Sequence, residues 1–125
     1  MKLFATLALA GTLALAATPS RALDFTQPVK TVAGTDFTDN NGRPVELTLD
    51  SVVEGALMSE QATSEDQKNK NYWLVLEIHK HMNDFIPTPD QIVQIRKALA
   101  ATQTTAVYGQ AMSLLDPTFV PKNLK

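Results

Sequence analysis

The sequence predicts a small α+β domain, mostly α: one N-terminal β-hairpin followed by a bundle of about four helices. Three observations predict it. Apolar and polar residues alternate in two stretches before residue 50, on either side of the dense turn signal Asp39-Asn40-Asn41-Gly42. Beyond residue 50 the apolar spacing changes to the helical period. Helix-start signals then recur at Asp50, Ser64 and Thr88, and Asp116-Pro117 makes a final stop.

Ahead of these elements stands a segment that reads as an address. Lys2 supplies a short positive start, Leu3 to Ala17 is uncharged and almost wholly apolar, Pro19 ends it, and Ser20-Arg21-Ala22 offers small residues at a cleavage site. That order is the secretory-signal pattern, with cleavage expected after Ala22. The run is too short to span ~30 Å of hydrocarbon as a stable anchor. Any membrane contact is therefore expected only through a signal peptide that is then removed. Residues 23–117 are expected to form the single domain and 118–125 a loose tail.

The hairpin comes first. Phe25, Gln27, Val29 and Thr31 alternate with Thr26, Pro28, Lys30 and Val32, and Pro28 confines this strand to an edge. Asn and Gly in the turn accept positive φ. Val45, Leu47 and Leu49 then alternate with Glu46 and Thr48 as the returning strand. A hairpin alone is barely stable, so its apolar side must lie on the helices.

Asp50 is the expected cap of a first helix with Val52, Val53, Ala56 and Leu57 inward, ending near Ser59. Glu60 to Glu65 is a polar loop. Ser64 with Gln67 fits a capping box that opens the longest helix, which is expected to run to about Asp84. Thr88-Pro89-Asp90-Gln91 repeats the device with proline at the first helical position. In that third helix Ile92, Ile95 and Leu99 are expected inward, and Gln94, Lys97 and Ala101 outward. A last helix carries Val107, Ala111, Leu114 and Leu115, and its Gly109 and Ser113 suggest that another element approaches closely. Short connections imply antiparallel neighbours.

Composition excludes several functions. The 125 residues contain no cysteine, which removes disulfides, a thiol nucleophile and a thiolate zinc site. Eleven basic residues face 13 acidic ones, a formal charge of -2, so no basic excess exists to hold a nucleic-acid backbone. Loss of Lys2 and Arg21 with the signal would leave 9 basic and 13 acidic residues, a charge of -4. Export without cysteine fits a periplasmic or secreted protein that relies on packing. No Gly-x-Ser-x-Gly elbow, phosphate-cradling glycine loop or His-Glu-x-x-His pair occurs. The paired acids Glu65-Asp66 lie in a first helical turn, where they favour the positive end of the macrodipole. The chain reads as a non-enzyme, with no cofactor.

On the long helix, 100° steps place Tyr72, Val75, Leu76, Ile78 and Met82 on one apolar arc, with His79 inside it as a hydrogen-bonded core or boundary histidine. His81 falls nearly opposite, so the two imidazoles cannot share a metal from a regular helix. Glu77 and His81, four apart, would supply half a metal site at most. Trp73 lies off the arc, beside Glu77, Lys80 and Asp84. Either it packs under the hairpin or the first helix, or it anchors a partner protein, in which case Tyr72, His81 and Asp84 complete the patch.

Val45-Glu46-Leu47-Thr48-Leu49, Ser64-Glu65-Asp66-Gln67-Lys68, Ile92 with Ile95-Arg96-Lys97, and Val107-Tyr108-Gly109-Gln110-Ala111 with Leu114-Leu115 follow one another in an order with relatives. The order resembles small proteins encoded by tailed phages and prophages, over Asp24 to Asp116. That group has no settled activity, so the resemblance implies a structural or assembly role and assigns no site residue. Its members look cytoplasmic, whereas this chain opens with a signal. The leading expectation is thus an exported, non-enzymatic accessory or binding protein that acts through the surface around Trp73. A phage assembly component is the alternative, and a small periplasmic enzyme or metal-binding protein a distant third.

Overall fold

The computed structural model describes residues 21–61 and 64–124. The expected signal peptide therefore lies almost wholly outside the described residues. The α+β class holds: short antiparallel strand pairs precede four α-helices. The strands are β1 (Pro28–Val29), β2 (Phe37–Thr38), β3 (Pro44–Val45) and β4 (Leu47–Thr48). The helices are α1 (Leu49–Ser59), α2 (Glu65–Lys80), α3 (Pro89–Thr102) and α4 (Thr105–Leu115).

The expected hairpin exists as a pairing of β1 with β4, Val29 opposite Leu47. It is far shorter than the alternation suggested, and a second hairpin, β2 with β3, is nested in its connection. Gly42, at φ 78°, closes that inner turn by donating its N–H to Asp39 O at 3.0 Å. The rest of the N-terminal segment leaves sheet geometry because its polar groups serve helices. Gln27 O and Phe25 O accept the Leu49 and Asp50 N–H groups at 2.9 and 2.8 Å, two donors that a helix start leaves without an internal partner. The cap of α1 is consequently Thr48 and not Asp50; Thr48 N–H donates to Ser51 Oγ at 3.2 Å.

The same segment ends α2 early. Phe25 N–H donates to Met82 O at 2.7 Å and Leu23 N–H to Phe85 O at 2.9 Å, so carbonyls just past the helix are taken by a neighbouring chain segment. The helix stops at Lys80, and His81 to Asp84 form turns instead of a last helical turn. Phe25 and Phe85 then pack edge to face, with centroids 6.0 Å apart.

α1 is the hub, in contact with α2, α3, α4 and β4. Its inward residues Val52, Val53, Ala56 and Leu57 are the expected ones, joined by Leu49. They meet Leu74, Val75 and Ile78 of α2, Ile95, Ala98 and Leu99 of α3, and Ala111, Met112 and Leu115 of α4. Ile92 is only half-buried. At Thr88 both halves of the capping box form, Thr88 N–H to Gln91 Oε1 at 2.9 Å and Gln91 N–H to Thr88 Oγ1 at 3.1 Å. Among the described residues no element approaches Gly109, contrary to expectation, and Ser113 instead turns its hydroxyl to Gly109 O at 2.8 Å. The expected loose tail is pinned at its start, where Phe119 packs edge to face on Tyr108 at 5.9 Å, and Lys122–Leu124 make one 3-10 turn.

Candidate functional site

α2 has the sequence EDQKNKNYWLVLEIHK and presents two unlike sides. Its buried side is Asn71, Leu74, Val75 and Ile78. The apolar arc read from sequence is therefore rotated: Val75 and Ile78 belong to it, but Tyr72 and Leu76 do not. A polar residue, Asn71, occupies the inward position, at 4% exposure.

Asn71 is fully provided for. Its Oδ1 accepts from Gln67 Nε2 at 2.8 Å and from Gln94 Nε2 at 2.9 Å. Its Nδ2 donates to Glu60 Oε1 at 2.9 Å and to Leu57 O at 3.3 Å. An amide side chain has two acceptor and two donor places, and all are used. This network explains two departures from expectation. Ser64 does cap α2, accepting Gln67 N–H at 3.1 Å, but the Gln67 side chain leaves the box for Asn71. Gln94, expected outward, is half-buried for the same reason. Between α2 and α3 the network floors an open groove of about 650 Å³, edged by Lys70, Asp90 and Lys97. The floor groups are consumed by one another, and Lys70 is paired with Asp66 at 3.2 Å.

The outer side of α2 is the reverse. Trp73 is 57% exposed, Tyr72 51% and Leu76 50%, and Met58 of α1, beside Tyr72, is 62% exposed. Of the two readings of Trp73, burial under the hairpin or the first helix is excluded. Leu76 and Met58 join the patch although sequence reasoning did not select them. The 100° steps put Leu76 on the apolar arc, and Met58 lies just off the inward positions of α1.

His81 and Asp84 are exposed as well, and His81 Nδ1 stands 3.6 Å from Asp84 Oδ1. They sit past the end of α2, with His81 eight residues or roughly 12 Å along from Trp73 at 1.5 Å per residue. The expected patch is thus two neighbouring clusters, an aromatic one at mid-helix and a polar one at the C-terminal end. Glu77, the other weak metal candidate, accepts from Gln91 Nε2 through its Oε1 at 3.1 Å. Among the described residues no group of three or more His, Asp or Glu side chains converges.

His79 lies outside the core, against expectation, with its side chain 73% exposed. Its Nδ1 is 3.5 Å from Glu54 Oε2, an ion-pair distance with no hydrogen bond formed. Burial pushes the Glu54 carboxyl above the usual carboxylate range, His79 opposes that shift, and Asp50 one turn earlier adds to it.

No family model matches the chain, and neither curated proteins nor solved structures give a match. Among the residues carrying the phage-like order, Leu49, Ile95, Ala111 and Leu115 are buried and Ser64 caps α2. Among the described residues no helix is long and apolar enough to cross a membrane.

Proposed function

We propose that this chain is an exported, non-enzymatic accessory protein that works by contact, burying the outer face of α2 against a protein partner. The observation that carries the reading is the open cluster of Tyr72, Trp73 and Leu76, with Met58 at its edge. Large aromatic and aliphatic side chains massed on one face commonly mark interaction sites, and Trp and Tyr are enriched among binding anchors. His81 and Asp84 then lie at the polar rim, where charges steer and orient more than they bind. The export half of the proposal rests on the opening sequence. Among the described residues the first buried one is Leu23, immediately after the expected cleavage point.

A pulldown with tagged protein tests the contact half. Trp73→Ala is expected to leave the far-UV circular dichroism unchanged and to abolish partner capture; undiminished capture by a folded variant overturns the reading. Fractionation with intact-mass analysis tests the other half. A processed species in the periplasm is expected, and a cytosolic pool retaining Met1 defeats it.

A further inference from the structure

The charges framing the aromatic cluster are arranged so that the face complements itself. Asp66, Asn69, Trp73, Leu76 and Lys80 follow one another at spacings of three and four residues, all exposed, in the manner of a coiled-coil seam. Along this seam the N-terminal end is acidic, with Glu65 and Asp66. The middle is apolar. The C-terminal end is basic through Lys80, while His79 faces Glu54 and His81, in the turn beyond, faces Asp84. Asp66 and Lys80 stand equally far from Trp73 on opposite sides. On one flank of the seam Lys70 and Glu77 are similarly placed, within one residue of symmetry.

We propose that the partner of this face is a second copy of the chain, its α2 packed antiparallel across the first about a two-fold axis near Trp73. The proposal rests on the contact reading and names its partner. A two-fold interface brings one patch against itself, so its residues must suit their own reversed order. Antiparallel packing sets the acidic end of each helix over the basic end of the other and Lys70 near Glu77, while the Trp73, Tyr72 and Leu76 side chains of both copies close over the centre. A parallel pair would stack Asp66 on Asp66 and Lys80 on Lys80, placing like charges together. The sixteen-residue helix is roughly 24 Å long, so the buried area is at the small end for specific interfaces. The pair is therefore weak and concentration-dependent, with the edge of Met58 beside Tyr72 extending it.

Sedimentation equilibrium tests this on protein purified from cells expressing the full 125-residue sequence, over roughly 10 to 500 µM, the range in which a small interface exchanges. The mass is expected to climb from monomer towards twice that value. Asp66→Lys and Lys80→Glu are each expected to stay monomeric, because each sets like charges together at both ends of the pair. Mixing the two variants restores opposite charges at both ends and is expected to recover the dimer. If Asp66→Lys proves unfolded by circular dichroism, Glu65→Lys takes its place in the mixture. A wild-type monomer at the highest concentration, charge variants that dimerise like wild type, or a mixture that stays monomeric overturns the proposal. A monomer whose capture of another protein still depends on Trp73 overturns only the self-pairing and leaves the contact reading standing.

Discussion

Each side of α2 departs from the ordinary distribution of polarity at one place, and the two departures serve opposite ends. On the inner side a buried asparagine has every hydrogen-bonding place filled by Gln67, Gln94, Glu60 and Leu57 O. On the outer side Tyr72, Trp73 and Leu76 have large apolar surfaces that none of the described residues covers. A satisfied polar group inside fixes how α2 sits on α1 and α3, because any slip leaves donors and acceptors unpaired. Uncovered apolar groups outside add nothing to the isolated fold. The first side is complete within one chain, and the second is the one proposed to need a partner.

The inner side is the more costly to disturb. Asn71→Ala strips the common partner from two glutamine amides, a glutamate and a backbone carbonyl in one step. A loss of about 2–3 kcal/mol is expected, read as a lowered urea midpoint with unchanged slope. A change under about 0.5 kcal/mol would mean that the groove-floor groups rehydrate freely and that the contrast between the sides is weaker than drawn.

The boundary between the sides should show a smaller, pH-dependent effect through Glu54. Burial raises its carboxyl pKa in the folded state, so folding favours the protonated form. Its contribution to stability is therefore full below the unfolded carboxylate pKa, declines as pH rises towards the raised folded value, and stays reduced at neutrality. Glu54→Gln should raise the urea midpoint at about pH 7 and leave it nearly unchanged at about pH 4. A midpoint lowered at neutral pH would show that the His79 pairing outweighs the cost of burying the carboxylate.

Least of all should stability respond to the outer side. Trp73→Ala in the monomer at low concentration is expected to alter it by less than about 0.5 kcal/mol, as at surface positions generally. A loss above about 2 kcal/mol would reassign the indole to the core.

Local chemistry was legible in the sequence wherever neighbours alone decide it. Thr88-Pro89-Asp90-Gln91 forms the box that its residues predict, and the inward row of α1 is as read. Ser64 was legible as a cap, but the destination of Gln67 was not, since that side chain answers to Asn71 and the choice is tertiary. The long arc was misphased for a related reason. Sorting by polarity sends Asn71 outward and Leu76 inward, and α2 violates both assignments at the places where it does more than fill a core. The aromatic candidates Tyr72 and Trp73 were found from sequence, with His81 and Asp84 displaced from them by the early end of the helix. The strand pairs were overdrawn or missed, because two-residue strands carry no period to read and their neighbours bond to helix ends.

Leu23 and Phe25 have a bearing on how the molecule comes into being. Phe25 O already holds the start of α1 through the Asp50 N–H, but the Leu23 and Phe25 N–H groups wait for Phe85 O and Met82 O, roughly sixty residues downstream. A chain emerging from its leading end would seat this stretch in two stages, first on the start of α1 and only later on the turn beyond α2.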